Sequence, residues 1–173
     1  MKTTPAVRLC RLALLCALAI ALSALEGIFT PLLPPFAKAG LSNVAVMLAA
    51  AFLGLPSALA VVLFKATFAL LVRGAISALF SLSGGLASAV LLWTLFRYAR
   101  VLGVFGISTA GAFTHSAVQL LLSVLLYGRA VLFYAPVMLL LSLPSGVITA
   151  ALLRAGERLF LHYLPKMRKD KDL

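Results

Sequence analysis

The sequence predicts an all-α integral membrane protein, a bundle of about six transmembrane helices. Its 173 residues are 64% hydrophobic, with a mean hydropathy of +1.15. Charged residues make up 11% of the chain, against the roughly 25% usual in soluble domains. Apolar runs are also broken at near-regular intervals by proline, glycine and arginine. At about 20 residues per crossing, this length accommodates roughly five to seven spans and leaves no room for a separate soluble catalytic domain.

The net charge of +11 would, in a soluble chain, point to nucleic acid. Here the basic residues sit in short connections and tails, where topology and anionic headgroups account for them, and no nucleic-acid partner is expected. Cys10 and Cys16 lie in or beside the first apolar run. Their spacing is neither a metal-ligand pattern nor a disulfide framework, and they read as small apolar residues.

The first span is expected from Leu9 to about Ile28. Its opening also has the layout of a secretory signal peptide, with the small residues ALSA at 21–24. The row Ala13, Ala17, Ala21 argues for retention, because small residues four apart let another helix approach closely. Glu26 closes the span as the only acidic residue before Glu157. Residues 30–40, TPLLPPFAKAG, are too rich in proline for a helix yet remain apolar. That combination predicts a stiff cap folded onto the bundle, carrying Lys38 near Glu26 and Asn43.

A short second span is expected from Leu41 to about Leu55, ended by Gly54 and Pro56. The third, from about Ser57 to Leu71, begins on that proline, which suits a first helical turn. Lys65 falls in its middle, beyond comfortable snorkelling distance from water. An ammonium there costs about 2.5–3.5 kcal/mol, so a polar partner or a wet cavity is expected. Arg73 and Gly74 begin a connection, and a fourth span is expected from about Ala78 to Phe96. Its SLSGGLAS run, residues 81–88, is rich in small residues and predicts close helix packing.

The fifth span, about Phe105 to Leu126, carries Ser108, Gly111, His115, Gln119 and Ser123 at spacings of three and four. At roughly 100° per residue these fall on one face. Lipid cannot satisfy such a stripe, so it either packs into protein or lines a polar cavity. A sixth span is expected from about Val131 to Leu153, interrupted by Pro144, Ser145 and Gly146. Residues 1–155 thus read as one six-helix domain and 156–173 as a basic tail.

Six spans place both termini on one side, and the charges test that count. The N-terminal tail, the 97–100 loop and the C-terminal tail hold all but four of the Lys and Arg residues; Lys38, Arg73 and Arg129 lie opposite, and Lys65 is inside the membrane. That bias predicts cytoplasmic termini and a polar pocket that opens outward under the 30–40 cap.

For catalysis the chain offers no paired carboxylates, no Gly-rich phosphate loop and no GxSxG. Neither a metal nor a cofactor is called for. A buried histidine with a glutamine one turn later suits ligand contact better, since neutral imidazole and amide supply donor and acceptor without a buried charge.

The runs ALSALEG, LPPF, KAGLSNVAVMLAAAFLG, SLSGGLAS, GISTAGAFTHSAVQ and YAPVMLLLSLPSGVITA resemble the bacterial membrane family called Gx transporters, also labelled heptaprenyl diphosphate synthase component I. The resemblance spans about residues 12–155. That family is in turn similar to the substrate-binding S components of energy-coupling factor (ECF) transporters, six-helix proteins that pair with a coupling subunit and two ATPases. The resemblance implies a plasma-membrane, S-component-like subunit for uptake of a small polar or anionic nutrient. It gives Glu26, Lys38, Asn43, Lys65, His115 and Gln119 as ligand contacts and Ala13, Ala17 and Ala21 as the docking face for the coupling subunit. Two positions depart from the family pattern: lysine stands at 65 where arginine is usual, and Ser116 follows the histidine where asparagine is usual. The family's other label implies instead a membrane subunit in prenyl diphosphate synthesis. The aspartate-rich motifs of such synthases are absent from this sequence, whose only aspartates are Asp170 and Asp172.

Overall fold

The computed structural model describes residues 5–29, 40–99 and 103–163. Six α-helices follow one another: α1 (Pro5–Phe29), α2 (Asn43–Phe52), α3 (Leu55–Arg73), α4 (Ala75–Tyr98), α5 (Val104–Tyr127) and α6 (Ala135–Tyr163). A 3-10 helix, η1 (Arg129–Tyr134), leads into α6. Apart from α2, all are long and apolar enough to cross a membrane, α6 together with η1. The chain is therefore a membrane-type, all-helical protein. Where they lie, α3, α4 and α5 match expectation to within a few residues, whereas α1 starts four residues before Leu9, α2 is shorter than expected, and α6 starts after Val131 and runs on to Tyr163.

Short connections dictate the packing. Gly74 alone joins α3 to α4 and Gly54 ends the turn between α2 and α3, so each pair folds back antiparallel. Along the arc, α1 packs on α3, α3 on α4, α4 on α5 and α5 on α6. Enclosed by that arc, α2 touches α1, α3, α4 and α6. Its residues from Asn43 through Ala50 are all buried.

The second span departs from expectation in length. At 1.5 Å per residue, ten residues reach about 15 Å, half of a hydrocarbon core. Asn43, the first residue of α2, meets Lys65, which lies eight residues, or about 12 Å, from the end of α3 at Arg73. The helix therefore begins near mid-depth and fills only the half of the bundle toward Gly54. Gly40 makes this break possible: its φ of +71° is left-handed, and a Cβ there would stand 2.6 Å from Ser145 Oγ on α6.

Around α2 the half toward Gly54 is apolar. Leu15, Cys16 and Ala19 of α1, Ala58, Val61 and Val62 of α3, and Ala89 and Leu92 of α4 close on its Val44–Ala50 face. Small residues dominate, which lets the helix axes approach. At the same end Arg154 sits 4.5 Å from the Phe105 ring and Arg97 5.7 Å from Trp93, as interfacial anchors do. Cys10 is exposed and Cys16 buried, both as free thiols.

Candidate functional site

The other half of the bundle, toward Gly74, encloses charge. Glu26 near the end of α1 is buried, and its Oε2 accepts a 2.6 Å hydrogen bond from Ser42 Oγ, just ahead of α2. Lys65 of α3 is only 3% exposed and its Nζ donates to Asn43 Oδ1 at 2.8 Å. Of the two alternatives expected for Lys65, the polar partner is present in Asn43. Arg73, two turns further along α3, turns inward rather than out to water and donates from Nη2 to Ser23 Oγ of α1 at 2.5 Å.

From α4 and α5 come the opposing walls. Gln119 is buried and its Nε2 donates to the Phe80 carbonyl at 3.4 Å, which ties it to the backbone of the neighbouring α4. His115 is also buried and lies against Gly84 of α4, where a Cβ would stand 2.8 Å from both Cε1 and Nδ1. The small residues of SLSGGLAS therefore admit the imidazole, and Gly85 likewise admits Val62.

These groups line one polar cavity: Glu26 and Ser23 from α1, Lys65 and Arg73 from α3, Ser81 from α4, and His115 and Gln119 from α5, with Gly40 and Ser42 at the break before α2. Its volume is about 10 Å³, room for about one water. Four sequence-predicted site residues, Glu26, Lys65, His115 and Gln119, thus meet at one place, and Asn43 joins them through Lys65. Lys38 lies outside the described residues. Ala13, Ala17 and Ala21 are all exposed on α1, away from the face that packs inward.

The α5 stripe does two jobs along its length. All five of its residues are buried. Ser108 donates to the Gly146 carbonyl of α6 at 2.7 Å, Gly111 packs under Leu92, and Ser123 bonds back to the Gln119 carbonyl. Only His115 and Gln119 face the cavity. Arg73, Ser23, Ser42 and Ser81 escaped the sequence reading. An arginine at a helix end ordinarily reads as a loop charge, and a serine in an apolar helix as a packing residue.

Fold and cavity together define a membrane-type helical protein with a charged site lined by four of its helices and the turn before α2. By sequence the chain belongs to the family described as heptaprenyl diphosphate synthase component I, whose model matches residues 15–155. No curated protein and no solved structure matches it.

Proposed function

We propose that this chain is the substrate-binding, S-component-like membrane subunit of an ECF-type uptake transporter for a small polar or anionic solute. The observation that carries this is the cavity: Lys65, Glu26, His115 and Gln119, all but fully buried, line one polar site, with Lys65 at about mid-depth of the bundle. Ionisable side chains at that depth are costly and mark solute sites when they converge. A helix that starts inside the membrane beside such a site, as α2 does here, is a recurrent transporter device. On this reading Glu26, Lys38, Asn43, Lys65, His115 and Gln119 contact the solute, and both termini are cytoplasmic in a bacterial plasma membrane. Energy comes from partner ATPases through a transmembrane coupling subunit docked on the exposed row Ala13, Ala17, Ala21.

The test is purification of the full chain from its native membrane under mild detergent. A coupling subunit with two ATPases should accompany it, and Ala17→Leu should remove them while leaving the isolated chain's stability within about 0.5 kcal/mol, as expected of an exposed site. Purification with a prenyl synthase catalytic subunit and no ATPase would favour the second reading, which rests on the family's name: a non-catalytic membrane subunit in prenyl diphosphate synthesis.

A further inference from the structure

We propose that the notch between the first turns of α1 and α3 holds one anionic phospholipid, its phosphate on Arg8 and Ser57 and an acyl chain along Leu9 and Leu12. This goes beyond the solute site and depends on neither reading of it. Helices α1 and α3 pack together and both begin at the Gly54 end of the bundle. Among the described residues the notch is lined by Pro5, Arg8, Leu9 and Leu12 of α1 and by Pro56 and Ser57 of α3. Its volume is about 310 Å³, against about 10 Å³ for the polar cavity, which is space for a length of hydrocarbon rather than for a lone ion.

One wall of the notch calls for an anion. Arg8 is exposed and has no ion-pair partner among the described residues. Ser57 is only 5% exposed, and its hydroxyl has no hydrogen-bond partner among them either. Hydroxyls buried to that degree are as a rule bonded, so a ligand that fills the notch supplies the missing acceptor. Ser57 also stands in the first turn of α3, which no side chain caps and which contains no acidic residue. The N–H groups of Leu55 and Ser57 have no acceptor within the helix, and the positive end of its dipole adds to the field of the guanidinium. A guanidinium, a free hydroxyl and an uncapped helix start together suit a phosphate.

The other wall calls for a chain. Leu9 is 67% exposed, and Leu12, Pro5 and Pro56 extend the same apolar lining. A free inorganic anion makes no use of this wall, and an uncharged lipid makes none of the donors. An amphiphile with a phosphate at its polar end satisfies both. The bilayer supplies such molecules at the right level, because the notch lies at the same end as the interfacial anchors Arg97 and Arg154. Basic pockets between transmembrane helices recur as sites for anionic headgroups.

The experiment uses the purified full chain, stripped of lipid in detergent and titrated with phosphatidylglycerol or phosphatidylcholine of matched oleoyl chains. Native mass spectrometry counts the lipid retained. One phosphatidylglycerol should stay bound at concentrations where phosphatidylcholine is lost, and glycerol phosphate, an anion without chains, should not displace it. Arg8→Gln should weaken retention by about tenfold or more, the worth of a hydrogen bond to a charged group, and Ser57→Ala by a smaller factor. Arg11→Gln removes the same charge a turn further along α1, from a residue that does not line the notch, and should cost no more than Ser57→Ala does. Equal retention of the two lipids, retention of neither, or equal losses in Arg8→Gln and Arg11→Gln overturns the proposal. So does competition by glycerol phosphate as strong as the lipid's own binding, which would make this a free-anion site. Displacement by geranyl diphosphate at concentrations below those of phosphatidylglycerol overturns it too, in favour of a prenyl diphosphate. If Arg8→Gln does not fold, the wild-type lipid series and Ser57→Ala, set against Arg11→Gln, decide it.

Discussion

Toward Gly54 the six helices meet in an apolar core built from alanine, valine and leucine, whereas toward Gly74 the same bundle encloses a carboxylate, an ammonium and a guanidinium. The first half is held by burial and close approach. The second is held by a few directed hydrogen bonds between groups that would each be costly alone. One half thus supplies stability, and the other is free to be chosen for what it binds. The break before α2 marks the border: its Val44–Ala50 face belongs to the core, and its first residue, Asn43, to the charged site.

Breaking the charged half one partner at a time should have the largest effect. Asn43→Ala removes the hydrogen-bond acceptor of the buried Lys65, and should cost about 1.5–3 kcal/mol, the worth of a hydrogen bond to a charged group. The paired replacement Asn43→Leu with Lys65→Met should recover that loss in thermal or denaturant unfolding, because a buried polar pair exchanged for apolar side chains is often neutral or stabilising. A double variant as unstable as Asn43→Ala would show that the charged half also holds the fold together.

Next in size is a test of the rigid half. A Cβ on Gly146 of α6 would stand 2.6 Å from Thr109 Cα of α5, and backbone cannot move aside as a side chain can. Gly146→Ala should lower stability by about 1–3 kcal/mol, the usual range for overpacking, without changing a solute response per unit of folded protein. A change in that response at unchanged stability would contradict the division between the halves. The smallest stability effect is expected at Gly84, where a Cβ would meet the His115 ring at 2.8 Å and the His115 carbonyl oxygen at 3.1 Å. Gly84→Ala should cost about 1 kcal/mol, the low end of overpacking, since the ring can shift and the backbone need give only a few tenths of an ångström, yet it should alter solute binding more than Gly146→Ala does.

The sequence made the helices legible because hydropathy and the proline and glycine breaks are local signals. It also exposed Lys65, His115, Gln119 and Glu26, each a polar residue where the surroundings are membrane-grade. Asn43 was found because it follows the proline-rich stretch directly. What stayed hidden depends on direction rather than identity. Arg73 can point to water or inward, and only the position of Ser23 on the neighbouring α1 decides it. Ser42 and Ser81 acquire meaning from what faces them. The shortness of α2 was hidden for another reason: Leu41 to Leu55 is apolar throughout, and nothing local says that the helix begins only at Asn43 and stops at Phe52.

That short helix also bears on how the protein is made. Ten residues are about half of what a nascent segment needs to partition into lipid by its own length. The sequence from α2 to Arg73 must therefore enter the bilayer as a hairpin with α3, turning at Gly54, and α2 stays without a complete coat until α4 and α6 arrive beside it. Since Asn43 heads that helix, the charged site cannot form in a half-synthesised chain. It is completed only when α5 brings His115 and Gln119, so products truncated before α5 would carry Lys65 and Asn43 into the membrane without the rest of the site.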